Sequence, residues 1–353
     1  MIFSDQCILI TGGTGSLGKT LVRRLLTGEL GRPRKIIIFS RDEAKQHYMR
    51  MEYQERAVAT DEVIYHNFEE LVEFRIGDIR DYFSVVSAIK TADIVINAAA
   101  LKQVPTCEYF PYEAVQTNIT GPENIVRAIR QNGLQVKTVV GVSTDKACKP
   151  VNVMGMTKAL QERIFLSANI SCQDARFICV RYGNVLASRG SVIPLFHEQI
   201  KAGGPVTITT EDMTRFLLSL NDAVDVIFAA VRDARRGETY VPRAPSARMI
   251  DVAKVLIGGR DIPIKIVGIR PGEKIHEILI SEEEAFRTVA RGRYYSMESI
   301  LPEVAGPVME GPTLEGEYSS NSCVLPYEKL AEFLEDHNLL LPESVETPLE
   351  LLR

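Results

Sequence analysis

The stretch that most constrains the fold lies at the start of the chain, where residues 7–20 read CILITGGTGSLGKT. A short apolar run passes straight into a glycine-rich turn and then into a helical pattern, the sequence form of a phosphate-binding loop. Two such loops fit. Gly13 to Thr20 satisfies G-x-x-x-x-G-K-[ST], the nucleoside triphosphatase pattern, in which the lysine reaches the β/γ-phosphates and the hydroxyl a magnesium ion. Gly12, Gly15 and Gly18 give G-x-x-G-x-x-G, a spaced variant of the dinucleotide loop, with backbone amides and a helix amino terminus facing a pyrophosphate. Glycine is needed in either case, because a side chain would block close backbone approach.

The segments that follow favour the dinucleotide reading. FSRDE places Ser40 and Arg41 after the second apolar run, where such a site reads the adenosine ribose. A hydroxyl and a guanidinium suit a 2′-phosphate, hence NADP, whereas an acidic residue at position 40 would have indicated NAD. GDIRD puts Asp78 at a strand end, where a carboxylate can accept from an adenine amine. Asn97 to Ala100 form a run of small side chains that lets a flat cofactor lie against the backbone. The cofactor site is therefore expected to comprise Gly12, Thr14, Gly15, Ser16, Leu17, Gly18, Ser40, Arg41, Asp78, Ile79, Ala98 and Ala99. The triphosphatase reading requires a carboxylate near the magnesium, for which Asp42 and Asp145 are loose candidates, and it leaves the later motifs unexplained. Lys19 and Thr20 are then ordinary first-turn helix residues.

Short β-branched runs alternate with helical patterns through the first half: CILI, TLVRRLLTG, KIIIF, EFRIGD, DIVINAAA, TVVGVS and ARFICVRYGN. This alternation predicts βαβ units and a helix-covered parallel sheet, a Rossmann-type doubly wound α/β fold whose ligands sit at the carboxyl ends of the strands. The pattern persists to about residue 185, after which a helix is expected over 221–234 and a Pro/Gly-rich stretch lies near 302–317. The expected division is an NADP-binding domain over 1–185 and a smaller α/β region over 186–353, mainly for substrate, with room for segments that return to the Rossmann core. With 41 basic against 46 acidic side chains, the chain has no global basic footprint for nucleic acid. Six cysteines without a CxxC pair and five scattered histidines argue against a zinc cage or disulfide framework and for a reducing cytoplasm. No metal is expected. There is no run of eighteen apolar residues and no room for a signal peptide before Cys7, so membrane insertion is not expected either.

Taken in order, TGGTGSLG, GDIRD, NAAALKQVPTCE, STDKA, MGMTKA, RYGNVLASRGSVIP, MTRF and GIRPGEKIHE resemble the UDP-N-acetylglucosamine 4,6-dehydratases, with EGEYSSNS near 316 similar to a late family segment. These are extended short-chain dehydrogenase/reductases of capsule, O-antigen and protein-glycan sugar biosynthesis. The resemblance implies an internal redox cycle on UDP-N-acetylglucosamine: hydride leaves C4 for a tightly bound NADP⁺, water is eliminated across C5 and C6, and the hydride returns to C6. The product would be a UDP-2-acetamido-2,6-dideoxy-4-hexulose, and the cofactor is recycled.

STDK follows the run TVVGV, so Thr144, Asp145 and Lys146 are placed at a carboxyl-terminal strand edge. By resemblance, Asp145 is the acid at the departing 6-hydroxyl and Lys146 the base at C5. Lys146 would need its basicity lowered by burial or a neighbouring cation, and Asp145 would need a shielded site to keep its proton. Met154 and Lys158 stand four apart on one helix face, with the spacing of a motif that has tyrosine in the methionine's place. There the lysine binds the nicotinamide ribose and lowers the phenol pKa. A thioether cannot carry a proton. Lys158 is therefore expected to keep a cofactor-positioning role, while an ordered water held by Thr144 and Asp145 or Lys158 takes the proton of the 4-hydroxyl. One branch of the 4,6-dehydratases carries Met-Gly here, and its short members resemble the C5-inverting kind.

The resemblance places Asn184, Arg215 and Arg270 at the diphosphate and Glu273 at the uridine ribose, with Lys102 and Arg189 as further substrate contacts. It also implies a homo-oligomer, a dimer or a hexamer. Two other readings stay open: a 4-epimerase of the same fold, which would need the tyrosine but not the charged pair, and a catalytically silent NADP-binding protein. Cys148 is expected to be a packed thiol, since no base is paired with it in sequence.

Overall fold

The computed structural model describes residues 1–55, 62–186, 191–306 and 313–341. The chain forms two compact units. The larger contains Met1–Gly183, Leu220–Arg243 and Ile278–Tyr318, and the smaller contains the intervening stretches from Asn184 and Ala244 and the tail from Ser319.

In the larger unit the β-branched runs become strands β1 (Cys7–Thr11), β2 (Lys35–Ser40), β3 (Val72–Ile76), β4 (Ile94–Asn97), β5 (Thr138–Thr144) and β6 (Arg176–Tyr182). They are parallel and lie in the spatial order β6-β5-β4-β1-β2-β3. Beyond β6 the sheet gains the parallel strand Thr239–Pro242 and the antiparallel strands Tyr294–Met297 and Thr288–Arg291. These last three come from the later parts of the sequence. Chain order reverses between β1 and β4, and it is at such a reversal that the loops leaving the strands open a crevice.

Burial on both faces explains the unbroken apolar runs, since a helix-covered parallel strand has no wet side. One face brings together Cys7, Leu9, Ile37, Phe39, Val95, Val139, Phe177 and Cys179, alternate residues of their strands. Val85, Ile89, Ile125, Ile129 and Phe165 cover them from the helices. The expected helix near 221–234 spans Leu220–Asp233.

The smaller unit pairs Val206–Ile208 with Ile264–Ile266 in parallel and Thr214–Phe216 with Ser246–Arg248 antiparallel. Ile193, Phe196, Leu217, Leu256, Leu330 and Leu334 form its core. No helix among the described residues is long and apolar enough to cross a membrane. Nor do three His, Cys, Asp or Glu side chains gather there as a metal site.

Candidate active site

The glycine loop joins β1 to the helix Ser16–Leu26, which begins at Gly15 without a side-chain cap. Its three glycines meet three different constraints. Gly12 has a φ of +66°, and a Cβ there would stand 2.9 Å from the Ala99 backbone. A Cβ on Gly18 would stand 2.4 Å from the Gly13 carbonyl oxygen, so the helix can cross the strand end only without it. A Cβ on Gly15 would meet only the Gly12 oxygen, leaving the helix amino terminus open to an anion. Lys19 pairs with Glu52 at 2.7 Å, on the helix rather than over the loop, which is the first-turn role of the dinucleotide reading. Thr11 ties in the next loop: its hydroxyl donates to Asn97 and accepts from the Ala99 amide.

At the end of β2 the Ser40 hydroxyl and carbonyl both accept from buried Gln46, a residue with no sequence signal, which fixes the hydroxyl. Arg41 is largely exposed, 3.9 Å from Asp78. Arg80 binds Asp78 through its backbone amide and guanidinium. Partial burial works to raise the Asp78 pKa, but the contacts with Arg80 and the charge of Arg41 hold it below the usual carboxylate range. Ile79 turns its side chain into the core and gives its carbonyl to Asn124.

The charged pair stands where β5 ends, in a short 3₁₀ turn over Asp145–Ala147. Asp145 is fully buried. Its Oδ1 accepts from the Thr144 hydroxyl at 2.8 Å and from Lys146 Nζ at 3.1 Å. The helix Val153–Ser171 packs on this turn through Gly155, where a Cβ would lie 2.1 Å from the Lys146 carbonyl oxygen. Asn152 caps that helix by accepting from the Gly155 amide. Met154 and Lys158 share a face as the spacing predicts, but neither side chain is displayed. The thioether packs with Cys107 and Ala114 beneath Leu101 and Val104. Lys158 Nζ donates to the Val142 carbonyl and to Gln161. Burial pushes its pKa down to about 8. Lys158 is thus tied both to β5 and to its own helix. Cys148 is buried, its thiol donating to Glu284.

Sequence reading missed the supports of this strand end. Asn118 lies in a π-helical turn, Gln116–Thr120, and grips Leu101 through both amide and carbonyl while donating to Thr157. Glu162 accepts from Ser143 and pairs with buried Arg181, which also pairs with Glu284 at 2.7 Å. Burial would raise the Glu284 pKa, but Arg181 outweighs it and the carboxyl falls to about 2. The unfolded chain therefore binds this proton at higher pH than the native one, and stability is lost as pH falls from about 4.5 to about 2. The shift is equivalent to about 3 kcal/mol. Urea midpoints across that window should fall less steeply in Glu284→Gln, and an unchanged slope would remove Glu284 from the acid response.

The remaining predicted substrate residues belong to the smaller unit, apart from Lys102, which lies on the loop after β4. Arg189 lies outside the described residues. Asn184 begins the unit. Arg270 and Glu273 close a turn in which the Glu273 amide donates to the Arg270 carbonyl, with Gly272 at φ +80° supplying the left-handed corner that type II geometry requires. Arg270 is exposed, whereas Arg215 is not. Its guanidinium donates to the carbonyls of Thr214, Ile275 and Lys274 and lies 3.7 Å from Glu277. Three of its five donors thus brace neighbouring backbone carbonyls.

Fold and strand-end loops define an extended short-chain dehydrogenase/reductase, the class shared by sugar-nucleotide epimerases and dehydratases. Within it, the chain belongs to the polysaccharide biosynthesis protein family, which matches residues 8–299. It is 44% identical over 299 residues, 83% of each chain, to a UDP-glucose 4-epimerase of Rickettsia bellii. It superposes on the X-ray structure of Pen from Bacillus thuringiensis with a TM-score of 0.84 at 34% identity, covering 97% of this chain and all of that one. DesIV, a dTDP-glucose 4,6-dehydratase of Streptomyces venezuelae solved with NAD and TYD, is similar in fold at 20% identity with a TM-score of 0.63, over 76% of this chain and 86% of its own.

Proposed function

We propose that the chain is an NADP-dependent 4,6-dehydratase of UDP-N-acetylglucosamine, inverting at C5. The observation that carries this reading is the buried carboxylate of Asp145 in contact with the Lys146 amine at the end of β5. Moving one proton from the Lys146 ammonium onto Asp145 turns the ion pair into a carboxylic acid and a free amine, with no exchange with solvent. Lys146 can then take the C5 proton, acidified by the neighbouring ketone, while Asp145 gives its proton to the departing 6-hydroxyl. Thr144, bonded to the same carboxylate oxygen, orients the acid. The glycine loop, Ser40 and Arg41 would hold the cofactor, which when bound supplies hydride exchange with the sugar. Asn184, Arg270 and Glu273 remain the candidates for the nucleotide diphosphate and ribose.

A second reading, 4-epimerisation, is favoured by the name of the Rickettsia relatives. That reaction needs neither an acid at the 6-hydroxyl nor a base at C5. Proton NMR with UDP-N-acetylglucosamine in heavy water separates the two. Dehydration gives a C6 methyl signal and deuterium at C5, and ring couplings report the C5 configuration. Epimerisation gives a galacto-configured sugar without deuterium, and that result would overturn the dehydratase reading.

Arg41→Ala is expected to weaken NADP by about 10- to 100-fold, the loss of charge-assisted bonds to a phosphate, with less than about threefold effect on NAD. Calorimetric titration with both cofactors checks this, and equal losses would sink the 2′-phosphate assignment. Met154→Tyr puts a larger, polar-tipped ring where the thioether packs with Cys107 and Ala114. It should lower the melting temperature and leave turnover no higher; a gain above about tenfold would show that the native site lacks an efficient base.

A further inference from the structure

We propose that Lys102 is the base that takes the proton of the sugar 4-hydroxyl, the task that Met154 cannot perform. This rests on the sugar-nucleotide reading above, but only on oxidation at C4, a step that dehydration and 4-epimerisation share.

Position is the first support. β4 lies between β1 and β5 in the sheet, so the loop that follows it leaves the same edge as the glycine loop on one side and Thr144 to Lys146 on the other. The course of that loop is tied at several points. Thr11 holds the Ala98 and Ala99 amides, and Asn118 bonds Leu101 at both its amide and its carbonyl. Leu101 and Val104, flanking Lys102, pack on the cluster that contains Met154. The segment that carries the lysine thus packs against Met154, the residue standing in the tyrosine's place.

Chemistry is the second. Three lysines serve these strand ends. Lys146 is paired with Asp145, and Lys158 spends its donors on Val142 and Gln161. Lys102 has no hydrogen bond or ion pair to any described residue, and its surroundings lower its pKa by desolvation with no carboxylate to oppose them. A free lone pair is therefore more accessible on Lys102 than on an amine held as an ion pair. In the step, the O4–H bond breaks and its proton joins Nζ, the O4 electrons form the C4 carbonyl, and the C4 hydrogen leaves with its electron pair for the nicotinamide. The proton gained by Lys102 balances the one that Asp145 yields to the leaving hydroxyl, and Lys102, which reaches solvent, can pass it on.

The test compares Lys102→Arg and Lys102→Met with the unaltered enzyme, using UDP-N-acetylglucosamine and UDP-glucose as probes. Calorimetry reads binding, and absorbance at the reduced nicotinamide band reads C4 oxidation in a single turnover. The expected result is binding within about threefold in the arginine variant and oxidation slowed at least about a hundredfold in both. Arginine restoring oxidation would overturn the proposal, since it keeps the charge and cannot act as a base. A second readout uses the unaltered, ligand-free protein: the pH midpoint for labelling Lys102 with an amine reagent, followed by mass spectrometry, should lie below the ordinary value of about 10.4. A midpoint at or above that value overturns the proposal. If the unaltered enzyme oxidises neither sugar nucleotide, the functional reading itself fails, a result distinct from oxidation that survives in the arginine variant.

Discussion

Lys146→Ala is expected to lower dehydration of UDP-N-acetylglucosamine by about a thousandfold while its affinity changes by less than about threefold. General base catalysis contributes on that scale, and an amine that acts at C5 has no part in holding the nucleotide. Oxidation at C4 precedes removal of the C5 proton, so the variant should still reduce its cofactor in a burst and then stall. That signature separates it from the Lys102 variants, in which the burst itself is slowed. Removing the lysine also leaves the buried Asp145 carboxylate without its cation, so a lower melting temperature is expected alongside the stall. Undiminished turnover would exclude Lys146 as the base.

Gly155→Ala is the second large effect. The added methyl would stand 2.1 Å from the Lys146 carbonyl oxygen and 3.0 Å from its carbon, backbone atoms that cannot swing aside as a side-chain tip can. Either the start of the helix lifts or the turn carrying Asp145 and Lys146 shifts. Overpacking of this kind costs about 1–3 kcal/mol, and a displacement of about 1 Å at a catalytic group can cost a hundredfold in rate. Both the melting temperature and kcat should fall. Gly259→Ala is the control, because a Cβ there meets nothing within 4 Å. A normal kcat in Gly155→Ala would mean that the turn tolerates movement and that Gly155 does not set its position.

The contrast between Gly155 and Arg215 shows how far the site was legible. Gly155 is visible in sequence only as half of a Met-Gly pair, and its reason for being glycine is a carbonyl nine residues earlier in the chain. Arg215 is expected at the diphosphate by the family resemblance of MTRF. Three of its donors go to the carbonyls of Thr214, Lys274 and Ile275, two of them some sixty residues distant. Which oxygens surround a guanidinium depends on how remote segments return, and no local pattern encodes that. The same holds for Arg181, where Glu162 and Glu284 converge on one buried cation.

By itself the sequence determined the elements whose cause is local. Apolar runs alternating with helical periods specify a covered parallel sheet, the glycine spacing specifies a turn that an anion can approach, and the run STDK after TVVGV specifies a charged pair at a strand end. Tertiary structure alone decided which polar groups remain available for chemistry. Lys158 and Arg215 donate to carbonyls and Met154 packs in the core, whereas Arg41 is exposed and Lys102 has no polar partner among the described residues. The physical reason is that a side chain's reactivity follows from its burial and its partners, and both are set by contacts between segments far apart in the chain.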